Sequence, residues 1–263
     1  MNEGSWHALI LAAGRGPGDP MAKAYGVTHK CLVPIGGVPM LRRVVATLAQ
    51  SPAIAEIEIS IDDVGIAREA LGDLAARCDV VASRESAARS AIAALEQGGS
   101  LPCLLTTGDH PLLTPEMVRY FLSEAARSEA DLCAGLASRK VIEAAYPEAK
   151  RTYIRFADVD VSGCNLFALT SSRALTALAF WHHLEPVRKK PWRLAGAFGF
   201  VPLLRFVTRT LTCEDAFAAA SGKLKLNARP ILMPFADAAV DVDKSADKEL
   251  AEKVISRRFK DAN

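Results

Sequence analysis

The sequence has no surplus of either charge. Over 263 residues, 32 Lys and Arg stand against 30 Asp and Glu, a formal net charge of +2. Binding nucleic acid along its phosphates needs a concentrated positive field, so bulk nucleic-acid binding is not indicated. Paired cysteines are missing too. Cys31, Cys78, Cys103, Cys133, Cys164 and Cys213 stand singly with no Cys-x-x-Cys pair, which fits reduced, mostly buried thiols better than a disulfide framework or a zinc site. Long apolar runs are also absent. The stretch Leu194–Leu204 holds eleven uncharged residues between Arg193 and Arg205, whereas a membrane span needs about 20. Near the start, the apolar run Ala8–Ala13 is short and no basic region precedes it, so it does not read as a secretion signal. These absences lead to the expectation of a soluble, cytoplasmic protein. What the chain does have is core material. Half of its residues are hydrophobic and 24% are charged, which excludes a disordered or collagen-like chain.

Short apolar runs alternate with longer helical patterns. His7–Leu11 reads as a buried strand, and Glu56–Ile61 alternates as a strand should. Leu101–Thr106, Ala130–Ala137 and Cys164–Leu169 read as further strands. Helical patterns lie among them at Pro39–Gln50, Val64–Cys78 and Ser86–Glu96, the last followed by the stop signal at residues 98–99. Thr114-Pro115-Glu116 caps another helix that runs to Ser128. Strands separated by single helices imply an α/β fold: a doubly wound, mostly parallel, Rossmann-like sheet with helices on both faces. The right-handed crossover rule puts its working edge at the strands' C-terminal ends. After Arg139 the rhythm loosens, and up to about Gly222 the chain reads as a helical elaboration before the closing strand and helix. We expect one domain over residues 1–263, with halves at 1–139 and 140–263.

Directly after the first strand comes Leu11-Ala12-Ala13-Gly14-Arg15-Gly16. Small residues followed by Gly-x-Gly let backbone N–H groups approach a phosphate with no Cβ in the way. A dinucleotide loop would need a third glycine where Asp19 stands, and a P-loop would need Gly-Lys-Ser/Thr. By itself the segment suits a plain glycine-rich turn as well as a phosphate cradle. His29-Lys30-Cys31-Leu32-Val33-Pro34-Ile35-Gly36-Gly37-Val38-Pro39-Met40-Leu41 then brings a cation back beside that loop, which a triphosphate requires. Leu104-Leu105-Thr106-Thr107-Gly108-Asp109-His110-Pro111 ends a strand with a carboxylate at the sheet's ligand-binding edge. The alternative for Asp109 is a cap on the following turn. Val240-Asp241-Val242-Asp243-Lys244-Ser245-Ala246-Asp247 opens a last helix to about Ser256, which Asp243 or Ser245 could simply N-cap.

Taken together, Leu-Ala-Ala-Gly-x-Gly, Lys-x-Leu-x-Pro-x-x-Gly-x-Pro-Met, the Gly-Asp strand end and the closing Asp-x-Asp stretch resemble the MobA-like NTP-transferase (nucleotidyltransferase) family. The resemblance is strongest over 8–50, 101–122 and 240–255 and loose over 140–235, where acceptor specificity would lie. It implies a nucleotidyltransferase that moves an NMP moiety from an NTP, CTP or GTP favoured, to a small phosphorylated acceptor with release of pyrophosphate. It implies a nucleotide-binding half at 1–139 and an acceptor side at 140–263. Leu11, Ala12, Ala13, Gly14, Arg15 and Gly16 would form the nucleotide loop, with Gly14, Arg15 and Gly16 on the β- and γ-phosphates. Lys30 would neutralise the α-phosphate, and Asp109 and Asp243 would hold Mg²⁺. Lys30 and Asp109 are thus the catalytic candidates.

The family's arginine two residues after the second glycine is replaced by Gly18, and Lys23 is the candidate to take over its contact. Ser90, in Arg89-Ser90-Ala91-Ile92, resembles the helix start that cytidylyltransferase relatives use near the base, and reads otherwise as an ordinary helix residue. Gly163 and Asn165 match a Gly-x-Asn segment that faces the acceptor. Asp62 and Asp63 read as caps of the next helix rather than metal ligands, and His110 falls at a variable position with no catalytic role. Two rivals share the pattern: a nucleotide-sugar-dependent glycosyltransferase, and a non-catalytic nucleotide-binding module, which the missing arginine leaves open. Finally, residues 182–209 carry Arg188, Lys189, Lys190, Arg193, Arg205 and Arg209 against Glu185 alone, interleaved with Trp192, Phe198, Phe200 and Phe206. That pattern reads as a hairpin packed on the sheet, as an acceptor-side lid, or as a peripheral membrane contact over 188–209.

Overall fold

The computed structural model describes residues 6–14, 18–97, 99–149, 151–184 and 197–261. The chain opens with strand β1 (Trp6–Leu11), helix α1 (Pro20–Ala24) and the hairpin β2 (Pro34–Ile35) and β3 (Val38–Pro39). Gly36 and Gly37 join that hairpin with φ of 56° and 76°, the left-handed pair that a two-residue turn matching strand twist requires. There follow α2 (Met40–Ala49), β4 (Ile54–Ile61), α3 (Val64–Leu71), β5 (Asp79–Ala82), α4 (Ala87–Glu96), β6 (Cys103–Thr107), α5 (Pro115–Arg127) and β7 (Leu132–Ser138). The second half adds α6 (Arg139–Ala145), β8 (Ile154–Arg155), β9 (Asp160–Leu169), α7 (Ala174–Leu184), α8 (Phe200–Val207), α9 (Cys213–Leu224), β10 (Ala228–Met233) and α10 (Ser245–Asp261).

Among the described residues the main sheet has eight strands, in the order β10-β7-β9-β6-β1-β4-β5 with β8 on β9. β6, β1, β4 and β5 run parallel, as do β10 and β7, while β9 runs antiparallel between β6 and β7. The sheet is therefore mostly parallel, as expected.

Its two faces are both covered, and β1 shows how. Ala8 and Ile10 join the core beneath α2, α3 and α5, where Leu41, Val44, Leu48, Met117 and Phe121 pack. Leu9, on the opposite face, packs with Ala91 and Ala94 of α4 and Ala174 and Leu178 of α7. Successive strand residues point to opposite faces, so a strand sandwiched between helix layers is apolar at nearly every position, His7 being the exception in β1. α2 meets this arrangement with one apolar stripe, burying Met40, Leu41, Val44, Val45 and Leu48. A third cluster, in which Met21, Val33, Ile35 and Met40 meet Val240, Val242, Val254 and Ile255, ties the final helix to the segment around Lys30.

One expectation needs correction, and two edge strands add to the pattern. The helix expected over 64–78 stops at Leu71, because Gly72 takes φ of 57° and turns the chain into a 3₁₀ segment and the edge strand β5. β5 buries only Val80, too little alternation for a pattern to register. β10 carries Pro230 and lies at the sheet's edge, where a missing N–H costs no ladder bond. No helix among the described residues is long and apolar enough to cross a membrane.

Candidate active site

Three strands end together. Leu11 of β1 is level with Ser60 of β4 on one side and Thr107 of β6 on the other, so the segments after all three leave the sheet at one edge. Gly108 N–H donates to Leu11 O at 3.1 Å. A Cβ at Gly108 would stand 3.1 Å from Ala12 Cβ and 3.2 Å from Cys31 Cβ. A side chain at this position would push the β1 loop and the Lys30 segment a few tenths of an ångström off the end of β6. Gly108→Val should therefore cost about 1–3 kcal/mol, the usual range for overpacking. The check is the urea midpoint at unchanged slope.

Asp109 is held at several points. Thr107 Oγ1 donates to its Oδ1 at 2.6 Å, Lys30 Nζ donates to its Oδ2 at 2.6 Å, and its carbonyl accepts Val242 N–H at 3.0 Å. That last bond draws the 240–243 segment to the sheet edge, and Asp243 Oδ1 also accepts from Lys30 Nζ. One ammonium thus lies between two carboxylates that are far apart in sequence. The Lys30 side chain is only 13% exposed. Burial works against its charge, yet Asp109 and Asp243 outweigh that and hold its pKa above the ordinary lysine value.

Behind this trio is a second network that the sequence did not reveal. Arg151 Nη1 donates to Asp241 Oδ1 at 2.7 Å, and Nη2 lies 3.4 Å from Asp247 Oδ1. Asp247 Oδ2 in turn accepts the N–H groups of Asp243 and Lys244, at 3.1 and 2.9 Å. The first turn of α10 is thus capped by Asp247 from inside the helix. Burial, reinforced by the nearby Asp109 charge, raises the Asp241 carboxyl pKa even with Arg151 in contact. Arg151 left no local signal. Its partners lie 90 or more residues away, in a region where the family resemblance is loose.

The glycine loop leads to Asp62 and Asp63, which the sequence pattern makes caps of α3. Asp63 does cap α3, accepting Ile66 N–H at 3.0 Å. Asp62 does not: its Oδ1 accepts Gly14 N–H at 3.1 Å, and its Oδ2 stands 2.9 Å from His29 Nε2. Gly14 and Lys30 are in this way linked through Asp62 and His29. Arg15 and Gly16 lie outside the described residues; Leu11 ends β1, Ala12 is buried and Ala13 is exposed.

The remaining candidates are dispersed. Lys23 stands exposed on α1, whose start is capped by Asp19 accepting Met21 N–H at 2.9 Å. Ser90 is 4% exposed, and its Oγ accepts Arg84 N–H at 2.9 Å, holding the loop before α4. Gly163 and Asn165 belong to a bulge in β9. Ala134 pairs with Phe167 but Leu136 pairs with Gly163, so β9 spends four residues where β7 spends two. Asn165 takes φ of 51° within it, and a Cβ at Gly163 would meet nothing within 4 Å. Pairing between β6 and β9 stops at Leu105 and Phe167, so the bulge lies level with the end of β6, where Asp109 emerges. Bulges commonly re-aim side chains beside active sites. His110 is buried, its Nε2 within 3.3 Å of Asp237 O, which suits a packing role.

Among the described residues no three His, Cys, Asp or Glu side chains form a metal-holding group. Nor is any cysteine primed for nucleophilic attack. Burial pushes the Cys31, Cys103 and Cys213 thiols up to about 12, far from the low values that reactive thiolates need.

A doubly wound sheet whose C-terminal edge gathers a glycine loop, a lysine and aspartates from distant segments marks the nucleotidyltransferase class. Sequence agrees: residues 8–183 match the model of the MobA-like NTP transferase domain, and the chain belongs to that family. It is a nucleotidyltransferase enzyme, with NTP transfer as its general chemistry. Among solved structures, one similar to it is a hypothetical transferase from Thermus thermophilus, 30% identical, with a TM-score of 0.79 over 92% of this chain and 98% of that one. CMP:2-keto-3-deoxy-manno-octonic acid synthetase complexed with CTP shares the fold at 16% identity and a TM-score of 0.59, covering 96% of this chain and 99% of its own. The 4-diphosphocytidyl-2C-methyl-D-erythritol synthase of Anaerococcus prevotii does so at 15% and 0.58, covering 96% of each chain. No curated protein matches the sequence.

Proposed function

We propose that the protein transfers an NMP moiety from an NTP, CTP or GTP favoured, to a small phosphorylated acceptor, with Mg²⁺ and in the cytoplasm. The observation that carries this reading is the placement of the Lys30 ammonium between Asp109 and Asp243, at the sheet edge beside the Gly14 loop. Of the proteins that share the fold, one is a 4-diphosphocytidyl-2C-methyl-D-erythritol synthase and another a synthetase complexed with CTP, which favours CTP. The chain acts as one unit in this reading, with nucleotide on residues 1–139 and acceptor on 140–263.

The donor set suits Mg²⁺. Asp109 and Asp243 direct hard carboxylate oxygens at one point that already accommodates a cation, and Mg²⁺ commonly takes one or two carboxylates together with phosphate oxygens. When bound, the ion would neutralise charge on the leaving pyrophosphate. The protein's own groups do the positioning. Gly14 N–H and its neighbours hold the phosphate chain, and Lys30 turns its ammonium to the α-phosphate. Thr107 keeps Asp109 in one rotamer, and Gly163 and Asn165 border the acceptor. An acceptor phosphate oxygen attacks the α-phosphorus in line as the bond to the β-phosphate oxygen breaks, so no proton has to be removed. Catalysis is then positioning and electrostatics, with no covalent enzyme intermediate.

The test is pyrophosphate release with each NTP, Mg²⁺ and a pool of phosphorylated alcohols. Release that requires both one NTP and an acceptor is expected. A glycosyltransferase or a non-catalytic binding module would release none.

We also propose that residues 188–209 rest on an anionic membrane surface near the acceptor. The support is α8, which leaves Phe200, Val201, Leu204 and Val207 exposed, while Phe206 turns inward to Phe156 with ring centroids 6.4 Å apart. Arg205 is paired with Asp215 at 2.5 Å, and Arg209 is exposed. Arg188, Lys189, Lys190 and Arg193 lie outside the described residues. An apolar helix face that follows a basic stretch in the sequence suits headgroups and phosphates. Vesicles of anionic lipid should bind the protein at low salt and release it steeply as salt rises. Lys189→Glu with Lys190→Glu should weaken that binding and raise the acceptor's KM well above the change for nucleotide. Unchanged acceptor kinetics in the double variant, together with indifference of the wild type to vesicles, would leave the segment as packing alone.

A further inference from the structure

We infer that His29 is a phosphate-binding residue and that Asp62 holds its place in the nucleotide-free protein, occupying the Gly14 amide until a triphosphate displaces it. The inference rests on the reading of the Gly14 loop as a triphosphate cradle.

Gly14 N–H, in the loop that follows β1, is directed at a carboxylate oxygen from 48 residues away, 3.1 Å distant. An anionic oxygen on a glycine-loop amide is the contact a phosphate would make. The other oxygen of the same carboxylate sits 2.9 Å from His29 Nε2. Asp62 thus presents two negative oxygens, one to the loop amide and one to an imidazole, as a phosphate presents its own.

The two partners differ in their freedom. The His29 side chain is 10% exposed and its Nδ1 is engaged with Thr28 Oγ1 at 2.8 Å, so Nε2 is aimed and held. The backbone then continues directly into Lys30. The Asp62 side chain is 44% exposed and can turn into solvent. Its neighbour Asp63 is committed to capping α3, so Asp62 has no helix to serve. A triphosphate arriving with Asp62 still in place would face like charge at contact distance, so the two compete for Gly14 N–H and His29 Nε2.

The probe is inorganic tripolyphosphate, which has no base and no reactive sugar, titrated calorimetrically in the full chain. Asp62→Asn and Asp62→Ala should each bind it about tenfold or more tightly than wild type. Asp62→Asn keeps the side chain's shape and an acceptor for Gly14 N–H, so it guards against mere collapse of the loop. His29→Ala should weaken binding several-fold both in the wild type and in the Asp62→Ala background, since the imidazole passes to the phosphate. Unchanged or weaker binding in both Asp62 variants would overturn the inference and make Asp62 a loop brace. Loss of the His29 effect once Asp62 is gone would overturn the direct role of His29. If wild type and every variant ignore tripolyphosphate, the cradle reading itself falls. Binding without the Asp62 effect removes only this inference.

Discussion

Asp109→Asn should lower kcat for pyrophosphate release by about a hundredfold or more while the protein melts within a few degrees of wild type. The substitution preserves shape and leaves Oδ1 to accept from Thr107 Oγ1. What it removes is one negative charge at the point where Lys30 and Asp243 meet it. Loss of a single preorganised electrostatic element in an active site typically costs 10²–10³ in rate. Stability should change little because Lys30 keeps Asp243, and because the Asp109 carbonyl, which holds Val242, is untouched. Steady-state kinetics with saturating nucleotide and acceptor, beside a thermal melt, is the measurement. Activity within a few-fold of wild type would remove Asp109 from the reaction.

Lys30→Ala should be comparably severe, with kcat/KM for the nucleotide down about a hundredfold and Lys23→Ala costing only a few-fold. The two lysines are seven residues apart but differ in setting. Lys23 is exposed on a five-residue helix, whereas Lys30 is mostly buried and touches both carboxylates. Removing its ammonium leaves Asp109 and Asp243 facing each other, with Asp241 close enough that Asp109 adds to the burial that already raises its carboxyl pKa. Like charges so placed repel and disfavour the closed site. The reverse ranking of Lys30 and Lys23 in steady-state kinetics would assign the phosphate contact to Lys23.

The elements that could be read from the sequence are those whose cause is local. β1 declares itself as a continuous apolar run, and α2, α4 and α5 through apolar periodicity and their own start and stop residues. Thr114, for one, caps α5 by accepting Met117 N–H at 3.3 Å. The break at Gly72, the edge strand β5 and the Pro-containing β10 could not be read in this way. Each depends on which side of the sheet is already covered, and edge strands bury too few side chains to leave a period.

The candidate site divides along the same line. Sequence by itself determined the residue types at the sheet edge: a Gly-x-Gly loop, a lysine ahead of a Gly-Gly hairpin, and aspartates at a strand end and a helix start. Each of these is written within a few neighbouring positions, and their order matches a family. Only the tertiary structure decided which of them meet. Lys30 reaches Asp109 across 79 residues and Asp243 across 213. Arg151 pairs with Asp241 across 90, and Asp62 turns from helix cap to partner of Gly14 across 48. Side-chain pairing at such separations is set by strand register and by the shared end of β1, β4 and β6. Those follow from how the whole sheet closes over its core, and no short stretch of chain records them.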